Sequence, residues 1–232
     1  MSGRTPSKTG QQDRRAQVRR RPDAQRGGDR RANRWVALLV AVVAVIAAVI
    51  GYAISRGGGP DDATSGAAGY DVGDPGPGQQ APEFTLPATT GEQISLTDYR
   101  GSTVLLYFQE GLMCQPCWDQ MRDLERAADE VRVAGVDQML AITTDPIDLI
   151  TRKVRDDRLS TPTLSDPDLA ASRTYQTNLF GMMGESRNGH SFILVGPDGT
   201  ILWRADYGGP PDHTMFVPVD QLLADLQASR QS

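Results

Sequence analysis

Two cysteines, Cys114 and Cys117, are the only thiols of the chain, and they form a Cys-x-x-Cys motif. The motif follows an apolar run and precedes a run with helical periodicity. A cysteine at the start of a helix lies beside unpaired amide N–H groups and the positive end of the helix dipole, and both favour the thiolate. The sequence therefore predicts Cys114 as a nucleophile. Cys117, three residues later on the same helix face, is predicted to be the resolving thiol.

Three other roles for the cysteine pair have less support. A structural disulfide that closes only four residues would remove roughly 2 kcal/mol of unfolded-state entropy. A zinc site needs two more ligands, and the two histidines, His190 and His213, lie far from the spacing of known zinc modules. Two unreactive buried cysteines have no reason to stand together at a strand-to-helix junction. We therefore expect a redox-active pair that needs no cofactor.

The elements on either side of the motif are predicted from their patterns. Residues 103–108 are continuous, apolar and rich in β-branched and aromatic side chains, as in a strand buried on both faces. After the motif, apolar residues recur at steps of three or four with charged residues opposite, which predicts an amphipathic helix ending at Gly135. Pro116 fits its first turn, where no N–H donor is needed. The cysteines are thus predicted where a buried strand gives way to a helix.

The rest of the domain alternates strands and helices. Asp145 is predicted to cap a helix that has Pro146 in its first turn and runs to about Asp157. The other predicted elements are strands 93–96 and 139–143, a helix at 168–175, a hairpin of strands 191–195 and 200–203, and a closing helix at 219–226. This order predicts an α/β fold with a mixed central sheet and helices on both faces.

Four features between Gly78 and Leu226 resemble one family. They are the entry Gly78-x-x-Ala81-Pro82-x-Phe84-x-Leu86, the run Leu96-x-x-Tyr99-Arg100-Gly101, the cysteine motif, and the hairpin turn with Asp198-Gly199. This stretch is similar to the redoxin branch of the thioredoxin-fold superfamily, the alkyl hydroperoxide reductase and thiol-specific antioxidant group. The resemblance implies a thioredoxin-like fold and a peroxiredoxin-like antioxidant oxidoreductase. It also implies a disulfide or peroxide substrate and an unidentified electron-donating partner.

The chain departs from that family at two places. Its peroxidases carry Pro-x-x-x-Thr/Ser-x-x-Cys, whereas here Tyr107 stands seven residues before Cys114 and Gly111 stands three before it. The arginine that helps these peroxidases polarise the substrate has no obvious counterpart, and His190 stands in that region. Both departures weigh against peroxide reduction, and neither weakens thiol–disulfide exchange through Cys-x-x-Cys.

His190 stands directly before the predicted strand 191–195. In this fold the hairpin joins the sheet near the redox helix, so we expect His190 close to the cysteines, as a thiolate-stabilising cation or a neutral proton carrier. The alternative is a copper-binding assembly factor of the Sco type, which shares the fold and adds a histidine near this place to a Cys-x-x-x-Cys pair. Met182-Met183 are expected to pack in the core or a loop, and His213 to lie at the surface.

The N-terminal part is predicted to anchor the domain. Residues 1–34 hold ten arginines and one lysine against three aspartates, as in a disordered basic tail. Residues 35–54 carry no charge and are long enough for one transmembrane helix, and the basic flank predicts a cytoplasmic N-terminus. A cleaved signal peptide usually has a shorter apolar core. Residues 55–77 are predicted to be a flexible linker, and residues 78–230 an extracytoplasmic redox domain.

The net charge of the chain beyond residue 34 limits the classes of partner that it is expected to bind. Beyond residue 34 the chain carries 13 basic and 26 acidic residues, an excess that disfavours nucleic acid as a partner. The apolar segment 35–54 and its basic flank predict localisation at the cell membrane, which the chain crosses once, with the acidic part outside.

Overall fold

The computed structural model describes residues 69–229. This part of the chain folds into seven strands and five α-helices: β1 (Thr85–Pro87), β2 (Gln93–Ser95), β3 (Val104–Phe108), α1 (Gln115–Arg126), α2 (Ala128–Val133), β4 (Gln138–Thr143), α3 (Ile147–Asp157), β5 (Thr163–Ser165), α4 (Ala170–Thr174), β6 (Ser191–Val195), β7 (Ile201–Asp206) and α5 (Val219–Ser229).

Five strands form one mixed sheet in the order β5-β4-β3-β6-β7. β3, β4 and β5 are parallel, whereas β6 is antiparallel to β3 and β7 is antiparallel to β6. β1 and β2 form a separate antiparallel pair. The prediction of a mixed sheet is confirmed, as is the prediction that strand 191–195 lies beside the strand that delivers Cys114.

Alternate residues of β3 serve two hydrophobic clusters, one on each face of the sheet. Leu105 and Tyr107 belong to the cluster that packs against α1, α2 and α5. Leu106 and Phe108 belong to the cluster that packs against α4 and the β1–β2 pair. All five residues of β3 are buried, as expected for a strand covered on both sides. The predicted thioredoxin-like α/β fold, with helices on both faces, is therefore confirmed.

The start of α3 corrects one prediction. Pro146 occupies the N-cap position and no side chain caps this helix, so Asp145 is not its cap. The Asp145 carboxylate instead accepts a hydrogen bond from the Leu112 N–H at 2.6 Å. The reason is topological, because β4 runs parallel to β3 and ends beside the loop that follows β3.

Residues 69–77 differ from a free linker, although they fall in the range predicted as one. Asp71 forms a backbone bridge with Asp206 of β7, and Pro75 and Gly76 are buried. The segment covers the outer edge of β7, where unpaired backbone groups would otherwise face solvent.

The basic tail, the transmembrane helix at 35–54 and residues 55–68 of the linker lie outside the described residues, and they stay predictions, as do the domain boundaries. Within residues 69–229, every helix is too short or too polar to cross a membrane.

Candidate active site

Cys114 and Cys117 are joined in a disulfide at the N-terminus of α1, with their Cα atoms 5.3 Å apart. Cys114 is the N-cap residue, and its Sγ accepts the Cys117 N–H at 3.2 Å. Pro116 lies in the first turn, as predicted. Cys114 is 4% exposed and Cys117 is fully buried, so Cys114 is the more accessible residue of the two. The helix N-terminus is the structural feature that favours the Cys114 thiolate after reduction.

Gly111 shapes the loop that delivers Cys114. Its carbonyl accepts the Cys114 N–H at 2.9 Å and the Trp118 indole N–H at 3.0 Å. Its φ is +90°, and a Cβ added there would lie 1.8 Å from Asp145 Oδ2 and 2.3 Å from Thr143 Oγ1. Any side chain at position 111 is therefore excluded both by the backbone and by the space that these two polar groups fill. The missing hydroxyl three residues before Cys114 follows from this packing.

Asp145 and Arg187 both contact the backbone of the loop that delivers Cys114. Asp145 is 4% exposed and accepts hydrogen bonds from the Leu112 N–H at 2.6 Å and the Thr143 hydroxyl at 3.1 Å. Arg187 forms an ion pair with Asp145 at 2.9 Å and donates to the Glu110 carbonyl at 3.1 Å. A guanidinium therefore lies beside the loop that delivers Cys114, although no arginine was an obvious candidate for this place from the sequence alone.

Glu110 joins the redox loop to a second loop. Its side chain is 3% exposed, and its Oε1 accepts the Met182 N–H at 2.6 Å. Met182 and Met183 are 58% and 49% exposed, which differs from the core packing considered for them, although both lie in a loop. The segment around them is thus fastened to the cysteine loop through Glu110 and Arg187.

His190 lies beneath the redox helix and is fully buried. Its Nδ1 is 3.0 Å from the Tyr107 hydroxyl, which also donates to the Cys117 carbonyl at 3.3 Å. Burial lowers the pKa of His190 to about 3, so the imidazole is neutral at physiological pH. Burial, and then the charge of Glu110, raise the pKa of Tyr107 well above its usual value. The lowered pKa argues against the cationic role expected for His190, and a part for the neutral imidazole in the reaction stays a prediction.

Several polar atoms in α1 and in the residues around it are buried without a partner among the described residues. They include His190 Nε2, Gln109 Oε1 and Gln120 Nε2. The opposite ends of both glutamine side chains are bonded, since Gln109 Nε2 contacts Met121 Sδ at 3.0 Å and Gln120 Oε1 accepts the Val217 N–H at 2.7 Å. Unpaired buried polar atoms are costly, and each calls for an internal water or a functional reason.

His213 lies far along the chain from the motif, half-buried in its loop, with Nδ1 3.0 Å from the Gly208 carbonyl oxygen. No group of three or more metal-binding side chains (His, Cys, Asp or Glu) occurs within residues 69–229. The structure therefore brings His190 to the cysteine pair through Tyr107, whereas the His213 ring bonds to the backbone of its own loop.

Sequence reasoning missed four residues of the site: Tyr107, Glu110, Asp145 and Arg187. A signal existed for Asp145, because acidic residues directly after a parallel strand lie at the same sheet edge as the end of the neighbouring strand. Arg187 had no comparable signal, since its place depends on the path of the long connection between α4 and β6.

Comparisons with known proteins agree with this geometry. The model of the AhpC/TSA family matches residues 77–204. Peroxiredoxin Bcp of Escherichia coli (strain K12) is 38% identical over 138 residues, which are 59% of this chain and 82% of that protein. A putative peroxiredoxin of Mycobacterium tuberculosis (strain ATCC 25618 / H37Rv) is 33% identical over 131 residues, 54% of this chain and 82% of that protein. The crystal structure of peroxidoxin BcpB from Mycobacterium tuberculosis superposes with a TM-score of 0.55 at 21% identity, covering 66% of this chain and 97% of that one, and it supports the fold.

Proposed function

Because the chain belongs to the AhpC/TSA family and is a peroxiredoxin-like thiol oxidoreductase, we propose that it works through a Cys114–Cys117 dithiol–disulfide cycle, with thiol–disulfide exchange as its main reaction. The observation that carries the proposal is the disulfide at the N-terminus of α1, in which Cys114 is slightly exposed and Cys117 is fully buried. The Cα separation of 5.3 Å lies within the range over which two cysteines can be bridged.

The exchange balances as two substitutions at sulfur. The Cys114 thiolate attacks one sulfur of a substrate disulfide, forms a mixed disulfide, and releases the first substrate thiolate. The Cys117 thiolate then attacks Cys114 Sγ, restores the intramolecular disulfide, and releases the second substrate thiolate. A dithiol electron donor returns the pair to the reduced form by the same steps in reverse. This donor is the unidentified partner that the cycle requires.

His190 and Tyr107 are proposed to assist Cys117 rather than Cys114. The Tyr107 hydroxyl bonds the Cys117 carbonyl and the His190 imidazole, so it fixes the turn that carries the resolving thiol. With a pKa of about 3, the His190 imidazole is too weak a base to take the proton of the Cys117 thiol, so its proposed role is to hold the Tyr107 hydroxyl in place. We therefore keep His190 in the proposed catalytic set as a helper in the resolving step.

Peroxide reduction is the second candidate, and the relatives named peroxiredoxins favour it. In that reaction the Cys114 thiolate attacks one peroxide oxygen and becomes a sulfenic acid, releasing water or an alcohol. Cys117 then attacks the sulfenic sulfur and water leaves as the disulfide forms. Against peroxide reduction, Gly111 has no side chain where the family carries a hydroxyl residue, and the Thr143 hydroxyl beside it donates to Asp145. The Sco-type copper alternative receives no support from the described residues or the comparisons.

A rate comparison tests the two candidates. The full chain, reduced with a dithiol and solubilised in detergent, should reduce a model protein disulfide rapidly and consume hydrogen peroxide little faster than an ordinary low-pKa thiol. Cys114→Ser should lose at least about 10³-fold in exchange rate, and Cys117→Ser should accumulate a mixed disulfide on Cys114. A fast, saturable peroxide reaction would make peroxide reduction the main activity.

We also propose that the redox domain is tethered outside the cytoplasmic membrane by residues 35–54. The uncharged length of this segment and the basic residues before it support the proposal. A membrane-impermeant thiol reagent should label Cys114 in intact cells after mild reduction. Labelling that requires lysis would contradict the outward orientation.

A further inference from the structure

A charged pair next to the redox loop has no part in the cycle described above. Asp145 follows β4 and is 4% exposed, and the Arg187 side chain, which pairs with it, is 27% exposed. Both contact the loop between β3 and α1 rather than the sulfurs. Asp145 accepts the Leu112 N–H at 2.6 Å, and Arg187 donates to the Glu110 carbonyl at 3.1 Å.

Gly111 connects these two contacts to Cys114, the proposed nucleophile. Gly111 lies between Glu110 and Leu112, and its carbonyl accepts the Cys114 N–H. The position that its Cβ would take is 1.8 Å from Asp145 Oδ2, so the carboxylate lies against the backbone of the loop. Displacing Asp145 would therefore shift the carbonyl that holds Cys114 at the start of α1.

The two charges also act on the thiol with opposite signs. A buried carboxylate near a thiol disfavours the thiolate, whereas a guanidinium favours it. Other ionisable groups lie on the elements packed around the motif: Tyr107, Glu110, Asp119, Arg122, Lys153, His190 and Tyr207. Substitutions confined to the pair leave all of these unchanged.

We propose that Asp145 and Arg187 are a positioning pair for Cys114, which holds the 110–112 loop and sets how readily the thiolate forms. The inference rests on the proposed role of Cys114 as nucleophile. It differs from a purely structural ion pair in one respect that can be measured. Removing either charge should move the titration of Cys114, and the two removals should move it in opposite directions.

The test measures the pH dependence of alkylation of the reduced full chain by iodoacetamide. Asp145→Asn keeps an oxygen for the Leu112 N–H and removes the negative charge, so the midpoint should fall by about 0.5 to 1 pH unit. Arg187→Gln leaves the carboxylate unbalanced, so the midpoint should rise by a similar amount. Arg187→Lys keeps the charge and should stay near the wild-type midpoint.

Two control variants remove the same charges elsewhere. Asp166→Asn changes a buried carboxylate that follows β5 and accepts hydrogen bonds from Ser172. Arg100→Gln changes an arginine that pairs with Glu83. Both should leave the midpoint where it is. Because Arg187 is partly exposed, its two variants should fold even if Asp145→Asn does not, and the rise in Arg187→Gln then decides the matter.

Mass spectrometry of the alkylated chain separates this inference from the proposed function. If Cys114 is the first residue alkylated but the pair variants leave its midpoint unchanged or move it in the same direction, the positioning role is wrong and the nucleophile assignment stands. If Cys117 is alkylated first, the nucleophile assignment fails, and the inference fails with it.

Discussion

Two arginine–aspartate ion pairs, in two regions of the domain, differ in their burial and in the number of their contacts. At the edge of the sheet, Arg204 and Asp206 of β7 are both fully buried and form a two-pronged ion pair at 2.7 and 3.1 Å. In the redox region, comprising the 109–117 stretch and its neighbours, Arg187 and Asp145 make a single contact at 2.9 Å, and the Arg187 side chain is 27% exposed.

The partners of each pair explain the difference. Arg204 also donates to the Pro75 carbonyl, and Asp206 accepts the Gly73 N–H, so this pair fastens residues 73–75 to β7. The Arg187–Asp145 pair fastens the loop that carries Cys114, the proposed nucleophile. A buried pair whose bonds are all internal specifies structure, whereas a pair that contacts a reactive loop and reaches solvent is able to tune chemistry.

The largest expected effect on stability comes from breaking the edge pair. Arg204→Gln should reduce the free energy of unfolding by roughly 3–5 kcal/mol, because it leaves Asp206 buried and uncompensated. The matched change Arg187→Gln should cost about 1–2 kcal/mol, since Arg187 is partly exposed and Asp145 keeps two other donors. Urea unfolding of the two variants measures both numbers. Equal losses would mean that the two pairs do not differ in the way described.

A second comparison uses one glycine from each region. Gly111 has a φ of +90° and no room for a Cβ, whereas Gly78 has a φ of +85° and open space around it. Gly111→Ala should cost roughly 2–4 kcal/mol, from backbone strain and from the displacement of Asp145, and should slow exchange. Gly78→Ala should cost about 1 kcal/mol and leave exchange unchanged.

Thermal unfolding and exchange rates, measured on both glycine variants, decide that comparison. An alanine at position 111 that is as well tolerated as one at position 78 would show that the loop is not confined by Asp145 and Thr143.

The last effect is a pH dependence that arises from His190, which is buried under the helix that follows the cysteine motif. The pKa of His190 is lowered to about 3 in the folded protein and is near 6.5 when unfolded, so the unfolded state binds the extra proton. The stability contributed by neutral His190 is therefore complete above about pH 6.5. It is lost as the pH falls toward 3, by about 1.4 kcal/mol for each unit below roughly pH 6. Denaturant unfolding at pH 7, 6 and 5 measures this slope.

His190→Gln is the control for that slope, since it removes the titrating group while keeping a polar side chain. The variant should lose less stability between pH 7 and 5 than the wild type loses. A slope that survives the substitution unchanged would assign the acid sensitivity to other groups.

The elements and the order of the fold could be predicted because their patterns are local. The apolar run before the motif, the spacing of Trp118, Met121 and Leu124, and the glycine-containing hairpin turn each depend on neighbouring residues in the chain. The cysteine pair could be recognised for the same reason. Asp145 was misassigned because a cap is also a local pattern, and its actual partner, Leu112, is 33 residues away in the sequence.

By itself, the sequence determined the cysteine pair, its placement at a strand-to-helix junction, and the α/β fold that carries it. Only the tertiary structure decided the surroundings of that pair: that His190 is buried and neutral, that Tyr107 links it to Cys117, and that Asp145 and Arg187 hold the redox loop. The physical reason is that burial and charge compensation depend on which distant segments meet. The spacing of residues along the chain shows the period of a helix or strand. It does not show which distant residues become neighbours at the edge of the folded sheet.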